Sequence, residues 1–187
     1  CEVLVSDSDG RALPLPITGG VGAPPPGPVL APAAPSQFSP PPPSSITGLA
    51  ISQRARDNAG VQVRLEAGEQ LVGEVLTQSD GVFQFTGVAP GAYQVRLAAV
   101  GRVPVLLAVS VLGDGQPVGL QPALLPAGDE TGDARIDLAD ASFIGANFGL
   151  PTPPAPVSVD LNQDGQVNVG DLVLVGRNFG MVGPINQ

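Results

Sequence analysis

The chain has 187 residues, which is enough for one moderate domain or two small ones. Acidic residues outnumber basic ones 17 to 8, and this balance disfavours nucleic acid and anionic lipid surfaces as partners. Histidine and lysine are absent and Cys1 is the single cysteine, so the commonest general bases, zinc ligands and intramolecular disulfides are missing.

The first 45 residues predict two extended segments. Residues 1–22 are a β-prone segment, because the run Glu2–Val5 precedes a cluster of turn-forming residues. A lone strand leaves its backbone groups unpaired, so this segment is either the remnant of a preceding domain or a strand donated to a neighbouring subunit. Residues 23–45 are a proline-rich linker or arm, for which polyproline II is expected. A lipid anchor at Cys1 is one explanation of the first residue, and an arbitrary chain boundary is the favoured one.

Residues 46–125 predict an antiparallel β-sandwich of about seven strands, because short apolar runs alternate with turn clusters. The pattern is clearest in two strands whose inward residues should be Phe83, Phe85, Tyr93, Val95 and Leu97. The segment from Thr77 to Val95 reads T-x-x-D-G-x-F-x-F followed by P-G-x-Y-x-V, which resembles carboxypeptidase regulatory-like (transthyretin- or Cna-B-like) domains. The resemblance implies an immunoglobulin/transthyretin-like sandwich that serves as a stalk, spacer or adhesive module.

Residues 160–171 match a calcium-binding loop. Oxygen-bearing side chains stand at loop positions one, three, five, nine and twelve, and Gly165 at position six permits the sharp bend. The candidate ligands are Asp160, Asn162, Asp164, the carbonyl of Gln166, Asn168 through water, and Asp171. The alternative is a solvated turn rich in Asn and Asp.

A second copy of this pattern begins 31 residues earlier, and the asparagine–phenylalanine–glycine that follows each loop repeats as well. Its candidate ligands are Asp129, Thr131, Asp133, the carbonyl of Arg135, Asp137 through water, and Asp140. Two calcium ions are therefore expected. The first loop should bind calcium more weakly than the second, because Ala134 stands where positive φ is needed and Thr131 offers only a hydroxyl.

The tandem loop–helix units at residues 127–182 resemble a type I-like dockerin domain. The resemblance implies two bound calcium ions and docking onto a cohesin at the cell surface or in the extracellular space. Its recognition positions fall on small or apolar residues, namely Leu138, Ala139, Val169 and Gly170, with Arg177 further along the second helix. The alternative is that these residues only pack the two helices together.

The core of this module is predicted to consist of apolar residues from both units: Ile136, Leu138, Phe143, Ile144, Phe148, Val167, Leu172, Val175 and Phe179. Six direct carboxylates repel one another without cations, so chelation is expected to melt the module while the sandwich persists.

The combined pattern predicts a mainly β protein with a small α-helical calcium module. We expect a non-catalytic, calcium-stabilised extracellular assembly protein that docks onto a cohesin or onto copies of itself. In the second case the N-terminal strand and proline-rich arm would contact the next subunit of a filament. The alternative function is a carbohydrate-binding or spacer module of a secreted polysaccharide-degrading system. An enzyme is disfavoured, because the carboxylates outside the loops read as strand-end charges: Glu66, Glu69 and Glu74.

Overall fold

The structure is a computed structural model that describes residues 39–187. The predicted N-terminal strand at 1–22 and most of the predicted arm at 23–45 lie outside the described residues. Residues 39–187 form one compact unit that contains both the predicted sandwich and the predicted loop–helix module. Within this part of the chain no helix is long and apolar enough to cross a membrane.

Two sheets build the sandwich, and their long strands pair antiparallel. The first sheet contains β1 (Ser44–Ser52) between β4 (Val82–Val88) and the short strands β8 (Val118–Gly119) and β9 (Ala123–Leu125). The second sheet contains β2 (Gln62–Ala67), β3 (Gln70–Leu76), β5 (Gly91–Ala98) and β7 (Val105–Val111), in the order β7-β5-β2-β3. The short strands β8 and β9, by contrast, pair parallel with β1. The predicted β-sandwich is thus confirmed.

Alternation of apolar and polar residues places one face of the long strands in the core between the sheets, except in the edge strand β3, which has no fully buried residue. On β7 every second residue from Val105 to Val111 is buried. Phe83 and Phe85 are buried from β4, and their rings meet edge to face with centroids 6.3 Å apart. Of the five predicted inward residues four are buried, and Tyr93 is partly buried with its hydroxyl donating to the carbonyl of Ala89 at 2.8 Å.

The loop–helix module follows the sandwich and contains two helices. Helix α1 (Leu138–Ala146) follows the first loop, a 3-10 turn spans Val157–Val159, and helix α2 (Val169–Asn178) follows the second loop. Each helix begins with a capping box, in which Asp137 or Asn168 is the N-cap and the aspartate three residues later bonds back to the N-cap amide. Gly180, two residues after the end of the second helix, has a left-handed φ of 83°.

Two short strands attach the module to the sandwich at neighbouring points. Strand β10 (Ala127–Asp129) pairs antiparallel with β6 (Gly101–Arg102) as the chain enters the module. After α2 the chain returns as β11 (Ile185–Asn186), which pairs parallel with the start of β7 and becomes an edge of the second sheet. Residues beyond the predicted module boundary at 182 thus belong to the sandwich.

The prediction of the module core is partly wrong. Ile136, Ile144, Val167 and Val175 are buried, and Leu172 is partly buried. The remaining positions are exposed: Leu138, Phe143, Phe148 and Phe179. Their places in the core are taken by residues of the second helix, the connector and the sandwich, namely Leu174, Ala155, Val159, Leu161, Val103 and Ala127. A module this small cannot bury two apolar faces on each helix, so one face remains in solvent.

Candidate metal centre

Each predicted calcium loop is closed by its first and last carboxylates. In the first loop Asp129 accepts the amides of Gly132 and Ala134 at 2.8 and 3.0 Å. Asp140 accepts the amides of Thr131 and Asp137 at 2.9 and 2.8 Å. These bonds fold the backbone around the two carboxylates, both of which are buried.

The second loop repeats this arrangement with one difference: its first carboxylate accepts the amides of loop positions five and six, whereas that of the first loop accepts those of positions four and six. Asp160 accepts the amides of Asp164 and Gly165 at 3.0 and 2.8 Å. Asp171 accepts the amides of Asn162 and Asn168 at 3.3 and 2.9 Å, which are the third and ninth loop positions as in the first loop. The equivalence of the hydrogen bonds agrees with the internal repeat inferred from the sequence.

The middle of each loop faces solvent. Asp164 accepts hydrogen bonds from the side-chain amides of Asn162 and Asn168 at 3.0 and 3.2 Å, and these bonds lower its pKa. In the first loop Asp133 is exposed and accepts the amide of Arg135 at 2.9 Å. Within residues 39–187 no three carboxylate, histidine or cysteine side chains converge closely enough to hold a metal by themselves. A cation in either loop would therefore need the carbonyl, amide and hydroxyl oxygens as well.

Burial and mutual repulsion make the end carboxylates suited to a cation. Burial raises the pKa of Asp129, its two backbone hydrogen bonds lower it, and the nearby charges of Asp140 and Asp133 raise it further. Burial likewise raises the pKa of Asp171, and Asp160 adds to this. A hard divalent cation would neutralise this buried negative charge, and an all-oxygen donor set is the set that calcium prefers. The residues present thus fit calcium, and the individual ligands stay a prediction.

Backbone strain does not rank the two loops as the sequence suggested. Ala134 has the predicted left-handed φ, at 64°, but Gln163 of the second loop has a φ of 58°. Both loops have left-handed φ at positions four and six. In the first loop these positions hold Gly132 and Ala134, and in the second they hold Gln163 and Gly165, so each loop has one strained non-glycine residue. The expected weakness of the first loop then depends on Thr131 alone.

Relief of strain in the first loop is expected to stabilise the protein. Ala134→Gly should raise the free energy of unfolding by about 1 kcal/mol, because glycine adopts left-handed φ without a Cβ clash. The measurement is urea denaturation in saturating calcium. The matched variant Gln163→Gly relieves similar strain but loses two hydrogen bonds, so it should gain less. A destabilised Ala134→Gly protein would contradict the argument.

Gln163 and Arg102 connect the second loop to the sandwich. The Gln163 Oε1 accepts the amides of Arg56 and Asp57 at 2.9 and 3.3 Å. Arg102 is buried and donates to the carbonyls of Leu161 at 2.7 Å and Gln53 at 3.2 Å. Burial lowers the pKa of Arg102 to about 10, so it remains charged at neutral pH.

A buried acid accompanies this arginine. Burial raises the pKa of Glu130 to about 7, against the opposing effects of Ser158 and the positive charge of Arg102. Glu130, Arg102 and Gln163 are absent from the predicted site. Their contacts join residues that are far apart in the sequence, so no local motif indicates them.

The predicted recognition residues lie at the surface. Leu138, Ala139, Val169 and Arg177 are exposed, and Gly170 is half-buried, so packing the two helices together does not account for them. Among the carboxylates outside the loops, Glu74 has a clear partner. Glu74 is paired with Arg64 at 2.8 Å across β2 and β3, and this hydrogen bond lowers its pKa.

Comparison with known proteins shows which proteins the sandwich resembles. No curated protein sequence matches the chain significantly. The most informative structural similarities are to chains of two type II cohesin–X–dockerin complexes from Acetivibrio cellulolyticus, one a C-terminal and one a N-terminal interface mutant. They share 27% and 26% identity, each with a TM-score of 0.63 over 74% of this chain and 97% of the other. The major pilin subunit of Bacillus cereus matches 46% of the chain with a TM-score of 0.36, which is too low to support an argument. Residues 45–125 match the carboxypeptidase regulatory-like domain, the family that the strand–turn motif predicted for this part of the chain.

Proposed function

We propose that the chain is a non-catalytic, calcium-stabilised extracellular assembly protein that docks onto a cohesin through the exposed faces of α1 and α2. The apolar surface of the two helices carries this proposal. Leu138 and Val169, the first residues of the two helices, are 70% and 65% exposed. Monomeric proteins rarely present large contiguous apolar patches without a binding role.

Helical spacing aligns the exposed side chains in a stripe on each helix. On α2 the exposed residues Val169, Val173 and Arg177 are four apart and so share one face. On α1 the equivalent stripe contains Leu138, Ser142 and Ala146. Phe148 and Phe179, at equivalent positions beyond the helix ends, are exposed as well. Small and aromatic residues of this kind suit the apolar centre of a protein interface.

The structural similarity supports the choice of partner. The region shared with the cohesin–X–dockerin chains covers 74% of this chain, whereas the carboxypeptidase regulatory-like match covers only residues 45–125. The similarity therefore extends beyond the sandwich. A sandwich followed by two calcium loop–helix units is compatible with the two-part X–dockerin description, and dockerins bind cohesins in the resemblance noted above. Calcium at extracellular, millimolar levels would fill even moderate sites.

Isothermal titration with a type II cohesin from Acetivibrio cellulolyticus tests the proposal. The wild-type chain in calcium should bind, and the double variant Leu138→Gln/Val169→Gln should bind at least tenfold more weakly, because both apolar anchors are replaced by polar side chains. The matched control is Val100→Gln/Leu112→Gln, which changes two equally apolar and exposed sandwich residues. Equal loss in the control, or no cohesin binding by the folded wild-type chain, would contradict the proposal.

Self-assembly is tested in the same samples. Sedimentation velocity of the wild-type chain in calcium should show a monomer until the cohesin is added. Concentration-dependent oligomers that the Leu138→Gln/Val169→Gln variant abolishes would instead identify a second copy as the partner.

A further inference from the structure

A groove of about 340 Å³ lies where the sandwich meets helix α2. The β1–β2 loop contributes Arg54 to it, and the second calcium loop contributes Asn162. Helix α2 contributes Val173 and Arg177, which also belong to the exposed stripe of this helix, together with Gly170 and Leu174. The groove therefore continues the proposed docking face onto the sandwich.

Arg54 occupies a strained backbone position without any bond that explains it. Its φ is 60°, in the left-handed region that favours glycine. Its side chain is exposed, and within residues 39–187 the guanidinium forms neither an ion pair nor a hydrogen bond. Strain that local contacts do not offset is a feature of ligand-binding positions. Here the strained residue is one of the two arginines that line the groove.

The second arginine is also available to a ligand. Arg177 is exposed and has no carboxylate partner among the described residues, where the sole ion pair is Arg64–Glu74. Arg102, by contrast, is buried and donates to backbone carbonyls, so it is not available to a ligand. Two guanidiniums without an ion-pair partner among residues 39–187 thus line one groove, in a chain with 17 acidic and 8 basic residues.

We propose that this groove binds an acidic side chain of the docking partner, with Arg54 and Arg177 as its hydrogen-bond donors. A planar guanidinium matches a carboxylate with two parallel hydrogen bonds, which gives geometric specificity as well as attraction. Val173 and Leu174 supply apolar contact for the stem of that side chain or for its neighbour. The inference rests on the proposed function, because it assumes that the partner lies against α2.

Binding of a hexaglutamate peptide to the ¹⁵N-labelled chain in calcium tests the groove without any natural partner. Nuclear magnetic resonance titration should shift the signals of Arg54, Val173 and Arg177, and hexaglutamine should not. In the double variant Arg54→Gly/Arg177→Gln the affinity for hexaglutamate should fall roughly tenfold, and added salt should weaken wild-type binding. Arg96→Gln, which removes a charge from the outer face of the sheet, is the control and should bind like wild type.

Stability measurements keep the test independent of folding. Arg54→Gly should melt at the same temperature as wild type or higher, because glycine relieves the left-handed strain, yet it should lose part of the peptide affinity. Unchanged affinity in the folded double variant, or an equal loss in Arg96→Gln, would overturn the proposal.

The cohesin titration separates this inference from the proposed function. If the chain binds the peptide through Arg54 but does not bind the cohesin, the groove is supported as a site for acidic side chains and the cohesin is excluded as the partner. If Arg54→Gly/Arg177→Gln binds the cohesin as tightly as wild type does, the proposed docking function is supported and the proposed role of the groove is contradicted.

Discussion

Alanine in place of Asp171 is expected to lower the free energy of unfolding by about 3 kcal/mol and to remove one of the two calcium ions. Asp171 is fully buried, and its carboxylate accepts the amides of Asn162 and Asn168. Its loss leaves these amides without their acceptor and opens the capping box of α2. It also removes the twelfth-position oxygen of the loop. Urea denaturation and calcium titration measure the two effects.

An isosteric variant separates structure from charge. Asp171→Asn keeps an oxygen acceptor for one of the two backbone amides and places an NH2 group against the other, so in chelator it should be destabilised, but less than Asp171→Ala. It should still bind calcium more weakly, because the loop loses a formal negative charge. Wild-type calcium affinity in both variants would show that the loop does not hold the ion. The equivalent exchange, Asp140→Ala, is expected to act in the same way on the first loop.

Arg102→Met should destabilise the protein by about 3 kcal/mol and should uncouple the module from the sandwich. The guanidinium connects the carbonyl of Leu161 in the module to that of Gln53 in the sandwich, and methionine can serve neither. The two carbonyls would then stay buried without this donor. Differential scanning calorimetry should resolve one transition for wild type and two for the variant.

Two further variants control this experiment. Arg96→Met changes an arginine on the outer face of β5 and should shift the stability by less than about 0.5 kcal/mol. Arg102→Lys keeps the positive charge but lacks the forked guanidinium that reaches both carbonyls. Its free energy of unfolding should therefore lie between those of wild type and Arg102→Met. A single unchanged transition in Arg102→Met would contradict the role of this contact as a connection between the two parts.

These contacts modify the expectation for chelation. The sequence predicted a module that melts alone while the sandwich persists. In the structure β10, β11 and Arg102 tie the two parts together, and Val103 lies in the core of the module. We therefore expect chelation to lower the melting temperature of the sandwich as well, and independent melting to emerge only once the connection is cut.

Local patterns were sufficient for the strands and the loops. Alternation in β4 and β5 identified Phe83, Phe85, Val95 and Leu97 as core residues, because each side of a strand has a fixed direction. Loop spacing and the need for left-handed backbone at Gly165 and Ala134 are also local properties, and both appear in the structure.

Local patterns could not predict the long-range contacts or which face of each helix is buried. The two-residue strand β11 pairs with residues about eighty positions earlier, and neither partner has a distinctive sequence. Phe143, Phe148 and Phe179 lie in or just after the helices, where an apolar residue is equally compatible with a core and with a docking face. Only the size of the shared core, filled by Leu174 and Leu161, decides between them.

The place of β11 links calcium to the exposure of a sheet edge. Strand β7 is covered by β5 on one side and by β11 on the other, and β11 is reached only after the chain has passed through both calcium loops. If the module unfolds, the bonds from Ile185 and Gln187 to Pro104 and Leu106 are lost, and the start of β7 becomes an open edge. An unpaired apolar edge pairs readily with other chains. If the loops bind calcium as proposed, the ions would protect the sandwich against aggregation as well as stabilise the helices.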